Sequence, residues 1–130
     1  MCISISIQAY IHLSFSMSNT SALADVANSL RSYRSQLGSV NQQLAHLENQ
    51  EKIAQLTSKE LGSYPNDHVW RSCGRSFILQ DKSKYISDLE HDEGIIKDQK
   101  KNLAIKQNYL ETSVDKARDT LKALVEKGNQ

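Results

Sequence analysis

The sequence predicts a mainly α chain: a long antiparallel two-helix coiled coil with one β-hairpin between the helices. Three observations lead there. Apolar residues recur at 3, 4 spacing from Leu23 to Leu47, more than three heptads. The 130 residues hold five Gly and a single Pro, so few turns can be made and the elements must be long. Between residues 66 and 80 the pattern changes from helical to β-prone and returns afterwards.

Residues 1 to 16, MCISISIQAYIHLSFS, hold ten apolar positions and no charge, and begin with an alternating Ile-Ser-Ile-Ser-Ile run. Ala22-Leu23-Ala24 has the look of a signal cleavage site. However, no Lys or Arg precedes Arg31, and Ser4, Ser6, Gln8 and His12 interrupt the apolar stretch, so a secretory signal is disfavoured. The stretch is expected to be a non-native or disordered extension, with Met17 opening a single domain over 17–130.

The first helix is expected over about 21–61. Its seam is Leu23, Val26, Leu30, Tyr33, Leu37, Val40, Leu44 and Leu47. Ser21 is its candidate N-cap, with Asp25 in the first turn favoured by the helix dipole. Past Leu47 the strict repeat would give core places to Glu51 and Ala54, while Ile53, Leu56 and Leu61 carry the hydrophobicity, so a shifted stripe is expected there. Gly62 and Pro65 end the helix.

The hairpin is expected over about 68–80. Val69-Trp70 and Phe77-Ile78-Leu79 are its two β-prone runs, and the turn falls at Cys73-Gly74 or one residue to either side. A lone two-stranded hairpin is marginal in water, so it should extend a sheet supplied by other chains. Subunit assembly is therefore assigned to Val69, Trp70, Gly74, Phe77, Ile78 and Leu79.

Asp81 or Ser83 can cap a second helix over about 81–127. Its stripe is Tyr85, Leu89, Ile96, Leu103, Leu110, Ala117, Leu121 and Leu124, with Asp92, Gln99, Lys106 and Ser113 between them. Lys97, Asp98, Lys100 and Lys101 fall outside the stripe and read as a solvated face.

Composition limits the function. Hydrophobic residues make up 38% against roughly 45 to 50% in an average domain, which disfavours a deep catalytic pocket. Net charge is +1, so the basic excess that nucleic acid or an anionic membrane would attract is missing. Cys2 and Cys73 form no disulfide framework and fit a reducing compartment, the cytoplasm. The four His have no metal-ligand spacing, and no Gly-rich phosphate loop or nucleophile-base pair stands out. No enzyme activity, metal or cofactor is expected. Arg71 and Arg75 beside Trp70 read as solvated neighbours of a packing aromatic rather than a base-stacking site.

The order coiled helix, hairpin, coiled helix resembles the β-type subunits of prefoldin. Trp70-Arg71-Ser72-Cys73-Gly74-Arg75-Ser76-Phe77-Ile78-Leu79-Gln80 is similar to the hairpin of that family, above all from Gly74 onward. Asn108-Tyr109-Leu110-Glu111-Thr112-Ser113-Val114, and Val40-Asn41-Gln42-Gln43-Leu44 with Glu51-Lys52, resemble parts of its helices. The resemblance spans roughly 23–127 and leaves out residues 1 to 16.

What the resemblance implies is a heterohexamer of α-type and β-type subunits, whose hairpins build a β-barrel platform and whose coils project from it. It also implies ATP-independent holding of unfolded actin and tubulin chains and their transfer to the cytosolic chaperonin. Leu23, Val26 and Leu30, with Leu121, Leu124 and Val125, would then offer apolar surface to clients at the coil tips. The same six residues also read simply as the closing zip of the coil. A scaffold or tether without chaperone activity is the alternative function. It would share the helices but have no use for a Trp and Phe-Ile-Leu hairpin.

Overall fold

Before Gly38 the chain contains neither Gly nor Pro, and from there to Gly62 it contains neither again. A helix begun early therefore meets little to stop it. The computed structural model describes residues 2–130, with side chains from residue 19 onward. Helix α1 runs Cys2–Ser63, strand β1 His68–Cys73, strand β2 Ser76–Asp81 and helix α2 Lys82–Gly128. Two long helices with an antiparallel hairpin between them are the expected fold class.

Five of the six expected element ends lie within two residues of the observed ones, and the start of α1 does not. Ser21 lies inside α1 and caps nothing, because the Met17 to Ala24 stretch contains no breaker and the helix passes through it. The expectation that residues 1 to 16 form a separate extension rests on Met1 and on side chains that lie outside the described residues.

The chain divides into two compact units, residues 40–106 and residues 1–39 with 107–130. Residues 40–106 hold the hairpin and the helix segments that flank it, with Val40 and Ala54 buried. Glu51 pairs with Lys100 and Gln55 with Glu93, so the two segments run antiparallel. In the other unit Leu30 and Leu110 are buried. Arg118 pairs there with Asp115 one turn earlier.

Burial corrects both seam readings. On α1 the strict repeat does not shift after Leu47: Glu51, Ala54, Ser58 and Leu61 continue it and are buried or half-buried, while Ile53 and Leu56 are exposed. On α2 the sheltered positions Ile86, Leu89, Glu93, Ile96, Lys100, Leu103, Gln107, Leu110, Val114, Ala117, Leu121 and Leu124 form an uninterrupted 3, 4 repeat, and Tyr85, at the start of the expected stripe, is half-buried beside Ile86. Asp92, Gln99 and Lys106 are exposed one place before Glu93, Lys100 and Gln107, which take the seam instead, and Ser113 stands beside the seam residue Val114. Lys100 is thus a seam residue, not part of a solvated face. Long side chains can do this because their methylenes cover apolar neighbours while the charged end finds a partner.

Candidate functional site

The hairpin closes through a two-residue loop, Gly74-Arg75. Gly74 has φ 63°, and Gly at the first loop position with positive φ is the arrangement of a type II′ turn, whose twist suits paired strands. The turn lies within one residue of its expected place. It fixes the register as Trp70 opposite Leu79, Arg71 opposite Ile78 and Ser72 opposite Phe77.

Directly paired residues share a face, so register assigns every side chain to one of two faces. Trp70, Phe77 and Leu79 stand together on the first, at 68%, 69% and 52% exposure. His68 and Asp81 close the end of that face with a 3.0 Å contact from Nε2 to Oδ1. Val69, Arg71, Ile78 and Gln80 belong to the second face. Gly74 does not line either face; its contribution is the turn. The two strands form a sheet of only themselves, which leaves both outer edges open within the chain.

The second face is latched to α2. The Gln80 amide donates to Asp88 Oδ2 at 2.9 Å, Arg71 reaches the same oxygen at 3.5 Å, and Lys84 approaches it at 3.3 Å. The Arg71 guanidinium also lies 4.7 Å from the centre of the Tyr85 ring, within cation–π range. Arg71 is therefore a half-buried anchor of the hairpin and not a solvated neighbour of Trp70. Where the hairpin joins the helices, the Lys82 backbone N–H donates to the Asp67 carbonyl at 2.7 Å and its ammonium to the Tyr64 carbonyl at 2.9 Å.

Hydrogen bonds from Gln80 and then Lys84 favour the ionised form of Asp88 and hold its carboxyl below the usual aspartate range. A carboxyl whose pKa falls on folding adds stability above its unfolded value of about 3.9 and loses it as pH drops through the lower folded value. Asp88→Asn should therefore lower the melting temperature at pH 6, and its deficit against the parent should shrink between pH 5 and pH 2.5. Circular dichroism melts across that range check this; a deficit independent of pH would show that the charge is not what the latch uses.

The proposed tip residues all belong to the unit formed by residues 1–39 and 107–130. Leu30 is buried, Leu23, Val26, Leu121 and Leu124 are half-buried seam residues, and Val125 is exposed one place beyond the seam. Five of the six are thus primarily coil contacts, and Val125 carries the free apolar surface.

Other chemistry is sparse. Among the described residues no three His, Cys, Asp or Glu side chains converge on a point where a metal ion could sit. Cys73 is exposed at the end of β1. An open groove lined by Leu61, Tyr64, Val69 and Trp70 runs beside the hairpin, and a second, lined by Ile53, Ala54, Tyr85 and Ile95, lies along the adjoining helix segments. Neither is enclosed enough to exclude water. No described helix is long and apolar enough to cross a membrane.

Residues 24–128 match the family model described as Prefoldin subunit. The chain is 67% identical over 97 residues to Prefoldin subunit 1 of Saccharomyces cerevisiae, an alignment covering 75% of this chain and 89% of the yeast protein. To the Homo sapiens Prefoldin subunit 1 it is 32% identical over 84 residues, 64% of this chain and 69% of the human one. Among solved structures, the prefoldin beta subunit from Thermococcus strain KS-1 aligns with 81% of this chain and 87% of its own at 25% identity, with a TM-score of 0.46.

Proposed function

The chain belongs to the prefoldin subunit family, and from that premise we propose that it is one subunit of a cytoplasmic, ATP-independent hetero-oligomeric co-chaperone. In this reading it captures unfolded polypeptides of the actin and tubulin class and hands them to the cytosolic chaperonin. It acts by holding, with no reaction catalysed and no cofactor. The observation that carries the assembly half is the hairpin face of Trp70, Phe77 and Leu79, three large apolar side chains that the chain itself leaves uncovered. Neighbouring subunits would cover that face and extend the open strand edges into a platform. Residues 1–16 would take no part in either task.

Client capture is assigned to the coil ends. Changing Leu121, Leu124 and Val125 together to Ser removes contact worth roughly 1.5 to 3 kcal/mol per side chain where burial in the complex is complete, and less where it is partial. The expected result is weaker suppression of a denatured client's aggregation, by light scattering, at unchanged assembly size. Lys101→Ser with Lys106→Ser, both exposed positions, is the control and should protect the client as the parent does. Full protection by the triple variant in an intact assembly would remove the client role from this end of the chain.

A further inference from the structure

The α1 seam is apolar from Leu23 to Leu47 and then admits one charge, Glu51; the α2 seam admits Glu93 and, one heptad later, Lys100. Glu51 Oε2 lies 2.7 Å from Lys100 Nζ, with the two side chains 15% and 28% exposed. Next to it Glu93 accepts from the Gln55 amide at 2.9 Å and pairs with Lys97 at 2.8 Å. Sheltering an ion pair costs desolvation that an apolar pair of similar size avoids, so this is a poor way to gain stability. Its use lies in discriminating between alignments, because a polar seam residue is tolerated only where its partner meets it.

We propose that Glu51–Lys100, supported by Gln55–Glu93, is the register lock of the coil, selecting one alignment of α2 from the same chain as the partner of α1. The alternatives fail at these residues. Sliding α2 by one heptad in one direction sets Glu51 against Glu93 and Lys100 against Leu44; in the other, Glu51 meets Gln107 and Lys100 meets Ser58. Pairing α1 in parallel with α1 of a second copy, which its long apolar seam would otherwise favour, sets Glu51 against Glu51. The apolar part of the seam distinguishes these states poorly, since Leu and Val repeat with the same period in each.

The test is the distance between spin labels at Ala45→Cys and Asp92→Cys, both exposed, in the full chain with Cys2 and Cys73 changed to Ser and diluted with unlabelled chain. A one-heptad slip moves one label about 10 Å along the axis, so alternative registers give separate distances. The parent sequence should give one distance. Glu51→Leu with Lys100→Leu should keep its helicity but add a second distance, displaced by several ångströms. Glu51→Lys alone should behave likewise, and Glu51→Lys with Lys100→Glu should restore the single distance. A double-Leu variant with only the parent distance, or a charge swap that fails to restore it, would overturn the lock.

Discussion

Phe77→Asp is expected to abolish assembly while leaving this chain's helices formed. Phe77 is one of three large apolar residues on the outer hairpin face and is mostly exposed in the single chain, so its loss removes little internal packing. Covered by a neighbouring subunit, the new carboxylate would lie in an apolar interface without a partner. That penalty, added to the lost contact of the ring, amounts to several kcal/mol, enough to reduce association by a factor of a hundred or more. Phe77→Leu keeps most of the apolar area and should assemble. Sedimentation velocity of the chain co-expressed with its partner subunits checks both variants. A Phe77→Asp chain that still sediments in the full assembly would mean that this face is not an interface.

The second large effect concerns the chain's own core. Leu110 is one of four buried apolar residues among those described, at 2% exposure, and it belongs to the unit whose other buried residue is Leu30. Leu110→Ala should cost about 2 to 5 kcal/mol, a large share of the 5 to 15 kcal/mol that holds an ordinary domain together. The melting temperature should fall by roughly 10 °C or more. Ile105→Ala, at an exposed position on the same helix, should shift stability by no more than about 0.5 kcal/mol. Equal losses for the two variants would contradict the seam assignment on α2.

Comparing Leu110 with Lys100 shows what was legible in the sequence. Leu110 was readable because an apolar residue at helical spacing announces its face. Lys100 and Glu93 are not, since charge is ordinarily a sign of solvent, and the apolar stripe alone allows the intervening positions one residue earlier, at Asp92, Gln99 and Lys106. The 4, 3 spacing of Leu110, Val114, Ala117, Leu121 and Leu124, carried back toward the hairpin without regard to polarity, places them. On α1 hydrophobicity likewise favours Ile53 and Leu56 for the core over Glu51 and Ala54, which the seam in fact shelters. The hairpin was legible to within a residue because Gly74 and the two β-prone runs are local signals. Its latch was not: Arg71, Gln80, Tyr85 and Asp88 meet only once the turn has set the register, and nothing in their spacing announces it. The early start of α1 escaped because the Ser and Asn residues around Met17 suggest a cap as readily as a helix interior.

The most direct test of the central claim is native mass spectrometry of the complex captured on the tagged chain from cells at its natural expression level. The expected result is a discrete six-subunit hetero-oligomer containing this chain together with related α-type and β-type subunits. A chain recovered as a monomer, or as a homodimer alone, would contradict it.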